Sequence, residues 1–163
     1  MTTQSTERSY DAPADSGVSG LDGFAVAFHD RLLVLARVAL GTIFVLSGSI
    51  KLMGLAAFSA SLAARGVPAA WFWGPVGVSV EFVGGILIVL GLGTRYAALL
   101  MILFVIVATA ISHRFWEFAD PQQFRTQQSQ FFKNLSIIGG FLFLLAAGGG
   151  RFSIDALWRR DRR

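Results

Sequence analysis

Two ionisable residues stand where charge is least expected. Glu81 lies inside the apolar run FWGPVGVSVEFVGGILIVLGL (72–92), and Lys51 closes the run LLVLARVALGTIFVLSGSI (32–50). A charge within a membrane span costs about 2.5–3.5 kcal/mol on insertion scales, so such residues usually face other helices and find partners. Glu81 falls about 9 Å inside a helix that starts near Pro75, and Lys51 ends its own helix, so their depths match. The pair is open to two chemistries. A charged, paired Glu81 that fixes packing and register is the plainer reading. A protonatable Glu81 in a ligand pocket is the other. Arg37 is about 21 Å further down the Lys51 face. It is expected as a cytoplasmic-side anchor, reaching headgroups or helix-end carbonyls.

A second polar cluster comprises His113 and Trp116, followed by Gln127, Gln128, Gln130, Lys133 and Asn134. Gln127, Phe131 and Asn134 share one helical face at steps of four and three, so Gln127 and Asn134 are the inward candidates. Lys51, Glu81, His113, Trp116, Gln127, Lys133 and Asn134 therefore form the candidate polar pocket, on the outer side of the membrane. His113 beside aromatics reads first as a headgroup contact. No metal site is expected. The chain has no cysteine and two histidines, and His29 lies on the opposite side from His113. This excludes bis-histidine haem within one chain, thiolate metal sites and dithiol relays. No nucleophile elbow, phosphate loop or dinucleotide fingerprint occurs, so no catalytic residue is assigned and the balance is against an enzyme.

The elements that must hold these residues are membrane helices. The 163 residues are 54% hydrophobic and 15% charged. Soluble domains run at about 45–50% apolar and about 25% charged. A bilayer core about 30 Å thick needs roughly 20 apolar residues. Residues 32–50, 72–92 and 96–112 meet this. The fourth span has only Leu135–Ala147 free of charge and must draw in Phe131 to Asn134, with Lys133 snorkelling. Asp120 is a good N-cap, Pro121 suits the first helical position, and Gln123 completes a capping box, so this helix starts near Pro121. The alternative has three spans, with the last helix at the interface.

The expected fold class is thus all-α, a polytopic membrane protein built as a four-transmembrane-helix bundle over residues 31–150. Residues 1–30 read as a disordered or loosely ordered cytoplasmic tail, and residues 151–163 as a basic amphipathic tail with its arginines among headgroups. Gly91 to Arg95 make a tight hairpin between spans two and three. Residues 55–68 read as a short surface helix ended by Gly66. Glycines make the helix-packing faces: Gly41 and Gly48 on the first span, and Gly77, Gly84 and Gly85 on the second.

The net charge of +4 sits beside the spans and at the C-terminus, where it sets topology and touches anionic lipid; nucleic acid is rejected as a partner. Eight basic residues fall on the side of the termini and five on the other, with Arg37, inside the first span, counted for neither. Both termini are expected in the cytoplasm.

The stretches ARVALGTIFVLSGSIKLMG (36–54), ARGVP (64–68), VEFVGGILIVLGLGTRYAALLM (80–101), HRFW (113–116), FFKNLSIIGG (131–140) and GGGRFSIDALW (148–158) together resemble the DoxX family of small bacterial membrane proteins. The resemblance implies a four-helix fold in the bacterial inner membrane. It makes Arg37, Lys51, Glu81, His113, Trp116, Lys133 and Asn134 family-type polar positions. It also links the chain to thiosulfate:quinone oxidoreductase and to membrane oxidative-stress complexes. The preferred expectation is an accessory or scaffold subunit with a membrane or peripheral protein partner, or a second copy of the chain. The alternative is a quinone- or small-solute-handling oxidoreductase subunit, with quinone as its cofactor.

Overall fold

The computed structural model describes residues 20–160. Expectations for residues 1–19 and 161–163 fall outside the described residues. Within them the chain forms α1 (Gly20–Met53), α2 (Leu55–Ala64), α3 (Ala70–Leu90), α4 (Thr94–Ser112), a 3-10 turn (Phe115–Glu117), α5 (Pro121–Ala147) and α6 (Ile154–Arg160). Among the described residues there is no strand.

Four of these helices are long and apolar enough to cross a membrane. The fourth is α5, whose 27 residues reach about 40 Å at helical rise. It begins as its sequence requires. Asp120 accepts the amide of Gln123 at 2.8 Å and Pro121 follows the cap. Gly148, at φ 77°, ends it.

α1 packs on α3, α3 on α4, and α4 on α5, which returns to α1. Phe44, Ile88, Ala98, Met101, Val105, Phe141 and Leu144 fill the space between them. The tight α3–α4 connection is left-handed at Gly91 and Gly93. α2 packs against α3. Its Leu62 is buried, and a Cβ on Gly74 of α3 would meet Ser59.

Two domain boundaries differ from expectation. Residues 20–30 are helical, extending α1 to 34 residues. Asp22 in the first turn suits the helix dipole, Phe24 and Phe28 stack one turn apart at 4.6 Å, and Asp30 accepts the amide of Arg151 at 2.8 Å. The segment after Gly150 is docked on the bundle through part of its residues, while Phe152, Leu157 and Trp158 stay exposed. Ser153 is buried, and the Asp155 amide donates to the Gly91 carbonyl at 3.1 Å.

Candidate functional site

The buried residues of α1 are Leu33, Arg37, Gly41, Phe44 and Gly48. They make one face at helical steps of three and four, and Lys51 continues that face at its upper end. On α3, Glu81 falls angularly between Gly84 and Gly85, so its side chain points between α1 and α4. α1 and α3 approach closely enough for the two charges to meet. A Cβ on Gly48 would lie 2.9 Å from Phe82 Cα, and one on Gly85 would lie 2.9 Å from Val45 N. Lys51 Nζ donates to both Glu81 oxygens, at 2.9 and 2.7 Å. The pair is asymmetric, because the Glu81 side chain is 5% exposed and that of Lys51 is 32% exposed. Lys51 Nζ also sits 5.3 Å from the centre of the Phe58 ring.

Around this pair lies a polar cavity of about 160 Å³, bounded by Ser47, Ser112, His113, Lys133 and Asn134 with Phe44, Phe104 and Ile137. Its walls are tied together by side-chain contacts. His113 Nδ1 and the Gln127 amide oxygen are 2.8 Å apart. Asn134 Nδ2 donates to Thr109 Oγ1 at 2.8 Å, and Lys133 bonds Gln130. Beside it a larger space of about 520 Å³ runs between α2, α3 and α4. It is walled by apolar side chains including Phe58, Trp73, Val80, Leu103 and Ile111. Lys51, Phe104, Ala108 and Ser112 border both spaces.

The structure thus gathers Lys51, Glu81, His113, Lys133 and Asn134 around one cavity, with Gln127 behind His113. Trp116 does not join them. It is 59% exposed and meets Phe115 and Phe131 edge-on, because the 3-10 turn swings it outward from the end of α4. The glycines also divide differently. Gly41, Gly48 and Gly85 make the α1–α3 contact, whereas a Cβ on Gly84 would meet Met101 of α4, and one on Gly77 would find only Phe104 at 4.0 Å. Gly77 and Gly84 are seven residues apart, nearly two helical turns, and share the α4 face; Gly85 is turned about 100° from it. Ser47, Ser112 and Thr109 are site residues the sequence reading missed. Ser47 precedes Lys51 by one turn and Ser112 precedes His113, which was the available signal.

At the other end of the bundle Arg37 is no headgroup anchor. It is 1% exposed, and its Nη2 donates to the Phe152 carbonyl at 2.8 Å. The docked C-terminal segment covers it. Asp155 takes the amides of Gly93 and Thr94 at 2.6 and 2.8 Å and the Thr94 hydroxyl at 2.9 Å. Burial works to raise the pKa of its carboxyl. The hydrogen bonds from Thr94 and Gly93, with the charge of Arg159, outweigh burial and hold it below the ordinary aspartate value.

Four apolar helices around a partly buried ion pair define a small multi-pass helical membrane protein with a polar cavity between its spans. The DoxX family profile matches residues 32–114, and the chain belongs to the DoxX family. It is 35% identical to the inner membrane protein YphA of Escherichia coli strain K12, over 76% of this chain and 88% of that protein. It is 34% identical to the inner membrane protein YqjF of the same organism, over 79% of this chain and 93% of that protein. A shorter match, 34% identical over 42% of this chain and 23% of the relative, is to a Surfeit locus protein 4 homolog of Schizosaccharomyces pombe. No solved structure matches the chain. The protein is accordingly a multi-pass inner membrane protein.

Proposed function

We propose that this protein is an accessory subunit of a membrane-associated redox or oxidative-stress complex, and that its own contribution is to hold an amphipathic small molecule drawn from the bilayer. One observation carries the ligand part of this reading. Lys51, Phe104, Ala108 and Ser112 border both the polar cavity and the apolar space, so a molecule with a polar head and an apolar body has one continuous place to lie. The combined space falls within the range of small-molecule sites, about 300–1,000 Å³. A pure scaffold has no need of such a space. A quinone, the cofactor suggested by the family resemblance, belongs to this ligand class, with its ring in the polar cavity and its chain between α3 and α4. The excess of lysine and arginine on the side of the termini supports a cytoplasmic position for both termini and an outer position for the site.

The test is purification of the full chain in mild detergent, followed by mass spectrometry of co-purifying small molecules and proteins. About one amphipathic molecule per chain is expected. Gly77→Leu should lose it, because a side chain there projects into the apolar space and meets no backbone. Retention of the same molecules by a folded Gly77→Leu variant would overturn the assignment of the space.

A further inference from the structure

The proposed ligand site leaves the chemical class of the ligand's head open, and the groups lining the polar cavity narrow it. Glu81 is occupied, since both its oxygens accept hydrogen bonds from Lys51. Lys51 is neutralised by the same contact. Lys133, which also borders the cavity, bonds only the neutral amide of Gln130. Among the described residues no carboxylate lies within ion-pair reach of it. The cavity therefore carries one ammonium charge in excess. Its uncommitted hydrogen-bonding groups point the same way. Other hydroxyls on these helices return to their own backbone, as Ser49 does to Val45 and Thr109 to Val105. Ser47 and Ser112 border the cavity, and their hydroxyls make no hydrogen bond among the described residues. A hydroxyl can donate or accept, but beside an uncompensated ammonium its proton is best used on an acceptor.

We infer that the ligand is a single-chain amphiphile with an acidic head, a long-chain carboxylate. Its carboxylate lies against Lys133 with the Ser47 and Ser112 hydroxyls, and its chain runs past Lys51 into the apolar space between α2, α3 and α4. This rests on the two-part ligand site proposed above and adds the charge of the head. The Lys51–Glu81 pair has a specific part here. Its salt link keeps the Glu81 charge from opposing an incoming carboxylate, while leaving the passage beside Lys51 lined by apolar atoms. Lys133 borders the cavity and is otherwise exposed, so an acidic head gains a charge-assisted contact there that a neutral head does not.

The experiment uses the full chain in neutral detergent and two labelled probes, palmitate and its methyl ester, at pH 8. Palmitate should bind saturably at about one per chain and at least tenfold more tightly than the ester. That ratio is the scale of a single charge-assisted contact, about 1.4 kcal/mol. Lys133→Gln should reduce palmitate binding to the level of the ester and leave the ester unchanged, and Lys133→Arg should restore the preference. Gly77→Leu should weaken both probes together, and Val83→Leu, on the lipid face, neither. Equal binding of acid and ester, insensitive to Lys133→Gln but lost in Gly77→Leu, would overturn the acidic head while keeping the amphiphile site. A short-chain ubiquinone analogue that displaces palmitate and binds more tightly, or a diacyl phosphatidylglycerol that does so, would likewise replace it. No saturable binding of any of these probes would remove both readings.

Discussion

The carboxylate of Asp155 accepts the amide of Thr94 at 2.8 Å and its hydroxyl at 2.9 Å, so α4 is capped by a residue 61 positions further along the chain. Gly93, the residue before α4, has no side chain with which to cap it. Asp155 supplies the missing acceptor and places negative charge at the positive end of the helix dipole. Asp155→Ala should lower stability by about 1–2 kcal/mol, the usual range for a lost cap, and Asp155→Asn by less. The pH dependence follows from the sign of the shift. The folded carboxyl titrates below its unfolded value of about 3.9, so the stabilisation is complete above that value and is lost as pH falls through the folded one. Thermal unfolding of wild type and Asp155→Ala in detergent should differ by a constant amount from pH 7 down to about pH 5 and converge in stronger acid. A gap that instead widened on acidification would contradict the cap.

Packing of α1 on α3 depends on the absence of side chains. A Cβ on Gly85 would lie 2.9 Å from Val45 N and 3.0 Å from Gly41 O; these are backbone atoms that cannot rotate away. Gly85→Leu should therefore reduce folded yield severely. Val83 is 49% exposed, and Val83→Leu should fold like wild type. Size-exclusion profiles of fluorescent fusions would distinguish the two, and a monodisperse Gly85→Leu would show that the helices can separate without penalty.

What could be read in advance was what depends on local sequence or on depth. The spans follow from apolar runs, the start of α5 from Asp120 and Pro121, and the meeting of Lys51 with Glu81 from matching depths on small-residue faces. What was hidden depends on rotation and on distant contacts. One residue of helical rotation separates Gly84, which faces Met101, from Gly85, which faces α1, and no run of apolar letters distinguishes them. The C-terminal segment is short and amphipathic, a pattern that suits a membrane surface as well as a docked turn, so nothing local announces that Ser153 is buried or that Phe152 offers its carbonyl to Arg37. The opening turns of α1 were hidden by their glycines and aspartates, residues that disfavour a helix interior.

Topology is a separate prediction. Four spans put both ends of the chain on one side, and the eight-to-five excess of basic residues there predicts that this side is cytoplasmic. Reporter fusions after residue 3 and after residue 163 should both give the cytoplasmic signal, and one between residues 117 and 120 the opposite. Periplasmic signals at both ends would invert the molecule and carry the polar cavity to the cytoplasmic side.

The ion pair at the cavity makes the sharpest prediction, because its two members differ in exposure. Glu81 has a side chain 5% exposed, and Lys51 one 32% exposed. Removing one partner of a buried pair costs about 3–5 kcal/mol, chiefly because the other is left buried and charged. That penalty should fall mainly on Lys51→Met, which strands the enclosed carboxylate. Glu81→Gln strands only a flexible ammonium that can turn towards water, and should cost less, about 1–2 kcal/mol for the lost charge-assisted hydrogen bonds. The double variant, apolar at one position and neutral at the other, should recover part of the Lys51→Met loss, since the two substitutions share one interaction. Thermal unfolding of the two single variants and the double variant in one detergent measures the coupling. Additive losses would mean that the 2.7 Å contact contributes no stability. A folded Glu81→Gln that had nevertheless lost its bound amphiphile would place Glu81 in ligand binding as well as in packing.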